Sequence, residues 1–270
     1  MKLTPLFQQD KKGSPMRVAA FMSGSGTNII RLIEREKRLN SEKGASPFHV
    51  VFIFSDRSDG RCNGEKIAFK NGIPYVSYDT RVFHRLRGVK RTVLTPEGLA
   101  ARREFDRVAE RLVKAFEIDL IALGGYMSYI TLERCVNVHP ADLSITTADG
   151  RRKYTGDHAV GDAIAEGEES LRASTLWTDQ GVDTGPLLMV SGPLKVELSG
   201  SLDKLQKDRE RWSKIVAEHQ ERLKEVGDWK IFPRTIEMIA EGRIAFDEKR
   251  RVYVDGNPVP EGYRESSDSP

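Results

Sequence analysis

Two short segments of the chain, Asn137-Val138-His139-Pro140 and Val182-Asp183-Thr184-Gly185-Pro186, supply an amide, an imidazole and a carboxylate. Imidazole is the side chain whose ordinary pKa lies nearest physiological pH. A carboxylate beside it can orient the ring and favour its charged form. An amide can donate to an oxygen that becomes negative during reaction. Asn137, His139 and Asp183 therefore suit acyl transfer, in which a carbonyl carbon turns tetrahedral and its oxygen gains charge. Each has a structural alternative: His139 as a hydrogen-bonded residue after a strand, and Asp183 as an Asx turn before Gly185-Pro186.

A second segment, Ser23-Gly24-Ser25-Gly26-Thr27-Asn28, lies between a short apolar run, Arg17–Met22, and an amphipathic stretch, Ile29–Leu39. That order reads as strand, glycine turn, helix. A turn opening a helix presents backbone N–H groups and the positive end of the helix dipole, which suits a phosphate. Thr27 and Asn28 add side-chain donors beside Gly26. Ile29 stands where a dinucleotide fingerprint has its third glycine, which weakens a nucleotide-cofactor reading even though Asp56 follows the next strand. A phosphate monoester on a substrate fits better; a plain tight turn with Asn28 as cap is the structural alternative.

The elements that would position these groups follow from periodicity. Phe48–Phe54 reads as a second strand, Glu65–Asn71 as a helix closed by Gly72, Ile73–Tyr78 as a third strand, and Glu97–Phe116 as a helix reached through a basic loop. Asp119–Leu123 is a fourth strand ending in Gly124-Gly125, and Cys135–Val138 a fifth that delivers His139. Strands alternating with helices predict an α/β fold: a Rossmann-like, mostly parallel sheet with helices on both faces. Such sheets bind ligands beyond the carboxyl ends of their strands. The glycine turn, the Gly124-Gly125-Tyr126-Met127 turn and Asn137–His139 all fall there. Further on come a helix near His158–Glu166, β-rich stretches at Leu171–Thr178 and Leu187–Val196, and a charged helix at Leu202–Val226. In that charged helix Trp212, Ile215, Val216 and Leu223 form a partial stripe; His219 reads as a surface residue, and a homodimer contact is one use of the packed face. Arg243–Pro260 reads as a hairpin turning at Asp255-Gly256. Residues 1–15 read as a flexible tail and 264–270 as a disordered one, leaving a single domain over 16–263. Its parallel, phosphate-binding half covers 16–140; its catalytic half, 141–263, carries an inserted helix at about 201–226.

Charge is nearly balanced, with 43 Lys and Arg against 40 Asp and Glu, so no nucleic-acid partner is demanded. The basic clusters Arg81–Arg91 and Arg151–Lys153 read as solvated loops. Cys62 and Cys135 have no paired spacing, which argues against a disulfide framework or a zinc site and for a reduced, cytoplasmic setting. No run is apolar and long enough for a membrane span, and no metal is implied.

With these glycine, Asn-His and Asp-Thr-Gly segments in this order, the chain resembles the folate-dependent formyltransferases through most of Arg17–Tyr263. Asp228-Trp229-Lys230-Ile231-Phe232-Pro233, Ala240-Glu241-Gly242-Arg243 and Pro260-Glu261-Gly262-Tyr263 extend the resemblance to the end. It implies the formyltransferase fold, with a C-terminal helix and β-hairpin. It also implies transfer of a formyl group from 10-formyltetrahydrofolate, a donor co-substrate, to the amine of glycinamide ribonucleotide in purine biosynthesis. Another amine, or water, is the alternative acceptor. Asn137, His139 and Asp183 are then catalytic. Gly26, Thr27 and Asn28 cradle the phosphate of a small amine substrate whose other end meets Asp228. Arg102, Tyr126, Met127, Tyr129 and His158 line the folate. The chain departs from the family at Ala141-Asp142-Leu143, at a Ser144–Arg152 insertion, at Ser128 in place of a common Arg, at Asp228 in place of a Glu, and in a longer Thr80–Thr95 loop.

Overall fold

The computed structural model describes residues 2–9 and 13–265. From the N-terminus run β1 (Thr4–Pro5), β2 (Met16–Met22), α1 (Thr27–Lys43), β3 (Phe48–Ser55), α2 (Gly64–Asn71), β4 (Tyr75–Ser77), α3 (Thr80–Leu86), α4 (Pro96–Ala115), β5 (Leu120–Leu123) and β6 (Cys135–His139). After them come α5 (Ala159–Ala165), β7 (Ser170–Leu171), β8 (Ser174–Trp177), β9 (Leu187–Val190), β10 (Leu194–Lys195), α6 (Leu202–Lys207) and α7 (Arg209–Leu223). A π-helical turn (Lys224–Asp228), α8 (Trp229–Ala240), β11 (Ile244–Phe246), β12 (Val252–Val254) and β13 (Asn257–Pro258) complete the chain. Two compact units result: Phe7–Asn137 with Ile236–Gly242, and Met1–Leu6 with Val138–Thr235 and Arg243–Pro270. Strand β6 passes from the first into the second.

In the first unit the strands stand in the order β4-β3-β2-β5-β6, every pair parallel. β2 and β3 are apolar almost throughout, the pattern of strands covered on both faces. Phe21, Phe52, Phe54, Phe105 and Tyr126 share one core cluster, with Phe21 and Phe54 centroids 4.7 Å apart. The registers Phe21↔Leu123 and Leu123↔Asn137 align the carboxyl ends of β2, β5 and β6 in one row. The turns that leave that row are joined: Ser23 N–H donates to Gly125 O at 3.0 Å and Gly124 N–H to Phe21 O at 3.0 Å. A Cβ at Gly124 would lie 2.3 Å from Ile29 Cδ1, so α1 can close on this turn only over a glycine. The basic segment expected as loop contains α3, whose Asp79 side chain accepts from Arg81 N at 2.9 Å and Val82 N at 3.1 Å.

The second unit is antiparallel. β8 pairs with β9, β7 with β10, and β1-β11-β12-β13 form a four-stranded sheet. The hairpin expected at Asp255-Gly256 is present, with φ of 50° and 80°, the mirror-image turn that matches strand twist. Two expectations fail here. Thr4 and Pro5 pair with Phe246 and Ala245, so these two residues of the expected tail form an edge strand, while 1 and 10–12 lie outside the described residues. His219 is 3% exposed; its Nδ1–H donates to Ile215 O at 2.8 Å and its Nε2 accepts from Glu197 N at 3.1 Å. It shares the buried face of α7 with Ile215 and Leu223. Beyond Tyr263, Arg264 bonds to Ser144 Oγ at 3.0 Å and Arg234 to Glu265 at 2.7 Å, while 266–270 lie outside the described residues. Among the described residues no helix is long and apolar enough to cross a membrane.

Candidate active site

In the second unit the strand β6 ends in His139, whose ring is buried. Its Nε2 lies 3.0 Å from the carbonyl oxygen of Tyr154. A carbonyl only accepts, so this nitrogen carries a proton. The other nitrogen, Nδ1, is 3.4 Å from Asp183 Oδ2. Burial pushes the imidazole below its ordinary pKa; Asp183 and the Tyr154 carbonyl push it up, but by less. The expected role of Asp183 in keeping the ring charged is thus outweighed by desolvation. What remains is a neutral ring whose Nδ1 stands 3.4 Å from a carboxylate oxygen, two acceptors close enough to share one proton. Such a pair can take a proton from an N–H or O–H placed before it.

Asp183 sits in an unusual backbone conformation, with φ of 54°. Gly156 N–H donates to its Oδ2 at 2.9 Å. The Arg152 guanidinium donates from Nη1 to the Asp183 carbonyl and from Nη2 to the Gly185 carbonyl, the latter at 2.7 Å. Sequence reasoning missed Arg152, Tyr154 and Gly156, having taken Arg151–Lys153 for a solvated cluster. Asp228 is buried in the π-helical turn, an irregularity found often at functional positions. His158 is exposed at the start of α5 and makes no capping bond with its side chain.

In the first unit Gly26 is the N-cap of α1, with φ of 73° and no side-chain cap. The first N–H groups of a helix have no partner within it, and with the helix dipole they are the groups an anion would meet at this end. Thr27 is half-buried beside it. Asn28 lies inside the helix and buried, which removes its expected alternative role as cap. Asp56, weighed from the sequence only as a nucleotide contact, is 2% exposed. It accepts from Ser23 Oγ at 2.7 Å and from Ser128 Oγ, while Ser23 Oγ accepts from Met127 N at 3.0 Å. One carboxylate therefore ties the glycine turn to the 126–129 turn. Within that turn Met127 is 67% exposed, Tyr129 is half-buried, and Tyr126 packs edge-on against Phe21. Arg102, 3% exposed, bonds to Asp106 Oδ1 at 2.6 Å and to the Tyr126 hydroxyl at 2.9 Å. Asp106 in turn accepts from Thr131 N and Oγ1, each at 2.8 Å. Arg102 is thus turned inward and supports the turn from below. Asn137 is half-buried on β6, two positions before His139 and so on the same face of the strand. Among the described residues no group of three His, Cys, Asp or Glu side chains is placed to hold a metal ion.

Against known proteins, residues 16–211 match the model of the formyl transferase family. A trifunctional purine biosynthetic protein adenosine-3 from Drosophila melanogaster is 28% identical over 180 residues, 64% of this chain and 11% of that protein. The chain therefore spans about a tenth of that relative's length. The phosphoribosylglycinamide formyltransferase of Bacillus subtilis is 25% identical over 179 residues, 64% of this chain and 76% of its own. The solved structure of phosphoribosylglycinamide formyltransferase from Coxiella burnetii superposes with a TM-score of 0.63 at 21% identity, covering 93% of this chain and 99% of that one. That likeness establishes the fold.

Proposed function

Because this chain belongs to the formyl transferase family, we propose that it transfers the formyl group of 10-formyltetrahydrofolate to the amine of glycinamide ribonucleotide. The observation that carries this reading is the His139 Nδ1–Asp183 pair at 3.4 Å, with Asn137 two residues earlier on the same strand face. The N-terminal end of α1 at Gly26 and Thr27 suits the acceptor's phosphate. The name of the Bacillus subtilis relative supplies the acceptor.

The amine nitrogen attacks the formyl carbon and a C–N bond forms. The former carbonyl oxygen takes up negative charge, to which the Asn137 amide donates. The amine proton passes to the Nδ1–Asp183 pair and on to the folate N10, directly or through a water. The C–N10 bond then breaks, leaving the formylated amide and tetrahydrofolate. One oxyanion donor is worth about 10²–10³ in rate, and positioned acid–base groups about 10²–10⁴. Arg102 serves by holding the Tyr126 hydroxyl and the Asp106 carboxylate that accepts from Thr131, and Met127 offers the exposed apolar surface for the folate.

The test follows donor consumption by absorbance, with and without glycinamide ribonucleotide. Turnover that requires the acceptor, and that falls at least about a hundredfold in His139→Gln and Asp183→Asn, supports the reading. Donor cleavage without acceptor marks a hydrolase and overturns it. A variant keeping more than about a tenth of the rate overturns the residue roles.

A further inference from the structure

Residues 144–153 form a small hairpin. Thr147 N–H donates to Arg151 O at 2.8 Å and Lys153 N–H to Ile145 O at 3.0 Å, with Gly150 in the turn at φ 78°. Thr147 Oγ1 adds a bond to Arg151 O at 3.0 Å. The Ser144 amide on Asp142 Oδ1, at 3.0 Å, fixes the base. The arm is exposed along its tip, and Arg152 lies where it returns to the body of the unit. From there, alternate residues of one segment each hold a different part of the site. Arg152 takes the carbonyls of Asp183 and Gly185, the Tyr154 carbonyl takes His139 Nε2, and Gly156 N–H takes the Asp183 carboxylate.

We propose that Arg152 is a positioning residue: its guanidinium clamps the backbone at 183 and 185 and so fixes the Asp183 carboxylate against the His139 ring. Three features carry this. Asp183 is a non-glycine residue in the left-handed region, a conformation that persists only where its surroundings impose it. Gly185 admits no side chain, because a Cβ there would lie 1.9 Å from Trp177 O; the loop lies tight against that backbone on one side and is gripped by Arg152 on the other. The two carbonyls, two residues apart, match the planar fork of a guanidinium, which a lysine ammonium cannot reproduce. The inference rests on the proposed use of His139 and Asp183 in catalysis, but its physical core does not need turnover to be tested.

The groups that face the His139 ring are Asp183, Asp157 and the Tyr154 carbonyl, which raise its pKa, and Arg152, which lowers it. Two outcomes of Arg152→Ala are therefore opposite in sign. Losing a nearby positive charge alone would raise the His139 pKa. Releasing Asp183 would lower it, since Asp183 acts more strongly than Arg152. The experiment titrates the histidine ring carbons of the full chain by NMR, with His139 assigned from His139→Gln. A fall in the His139 pKa in Arg152→Ala supports the clamp; a rise, or no change, overturns it. Arg152→Lys retains the charge, so a fall there comes from geometry alone, and this variant carries the test if the alanine form does not fold. In the formyl-transfer assay, kcat of Arg152→Ala should drop at least about tenfold at little changed acceptor KM. Arg152→Ala with Asp183→Asn should be no slower than Asp183→Asn alone, as expected of residues acting through one another. Independent losses overturn the clamp. If the native chain transfers no formyl group, the proposed reaction fails while the titration still decides the role of Arg152.

Discussion

Arg102 gives the sharpest separation between a binding and a supporting role. The family resemblance places it at the folate; in the folded chain its side chain is 4% exposed and that of Asp106 2%, with 2.6 Å between them. Replacing Arg102 by Met keeps the apolar stem and removes the cation, leaving the Asp106 carboxylate buried without its partner. Breaking a buried pair in this way costs about 3–5 kcal/mol. At about 2–4 °C per kcal/mol for a domain of this size, the midpoint of unfolding should fall by roughly 6–20 °C. A second substitution, Asp106→Asn, removes the stranded charge yet keeps a side-chain oxygen for Thr131 N and Oγ1, which now bond to Asp106 at 2.8 Å. The double variant should therefore be more stable than Arg102→Met alone. Thermal melts followed by circular dichroism, beside KM for the folate donor, decide the matter. A melt within about 2 °C of the native chain, together with a tenfold rise in donor KM, would refute this reasoning and return Arg102 to the ligand.

A Cβ at Gly26 would lie 2.4 Å from Met22 Cε and 2.6 Å from Ile67 Cδ1, at a φ of 73°. Gly26→Ala should lose about 1–3 kcal/mol in a urea melt and raise the acceptor KM more than it lowers kcat; a variant unchanged in both would remove the phosphate assignment. The buried His139 has a lowered pKa, so between its folded and unfolded values the native state binds fewer protons than the unfolded one. Stability from this group is therefore present above the unfolded value of about 6.5 and lost as pH falls below it. Chemical denaturation across mildly acid pH should show His139→Gln losing less stability than the native chain, and parallel curves would contradict the burial argument.

The parallel layer was legible because local rules and the fold agree there. Apolar runs mark β2, β3 and β5, with glycine turns after β2 and β5, and Gly72 closes α2 with its N–H on the Ala68 and Phe69 carbonyls. Legibility ends where a pairing spans the chain. Nothing in Thr4-Pro5 foretells a partner at Ala245-Phe246, since edge pairing is decided by what the rest of the fold leaves open. Helix α7 held a weak signal that went unused: Ile215, His219 and Leu223 recur at a spacing of four, which put His219 on the apolar stripe. Arg102 and Asp106 likewise fall on the buried stripe of α4 with Gly98, Ala101, Phe105 and Ala109. Residue type suggested the surface for His219 and the resemblance set Arg102 at the folate, while helical position puts both side chains on buried stripes.

The sequence singled out His139 and Asp183, which the fold brings to 3.4 Å; their charge states and supports could not be read from it. Asn137 and His139 lie at a strand end and Asp183 in a turn, places that local patterning can find. Whether His139 is charged depends on the competition between burial and one carboxylate, and burial is a property of the packed chain. The sequence shows the neighbouring carboxylate, Asp183, and the fold adds the larger, opposing effect of burial. The supports are non-local in the same way. Asp56 reaches back to Ser23 and forward to Ser128, and Arg152 reaches Asp183 and Gly185. A serine in place of an arginine at 128 therefore has a physical reading: the hydroxyl is short enough to bond to a buried Asp56 that also holds Ser23, so the two turns are joined by one carboxylate. Ser128→Ala should loosen that join while leaving the His139–Asp183 geometry of the other unit intact, which would show as a raised donor KM at nearly constant His139 pKa.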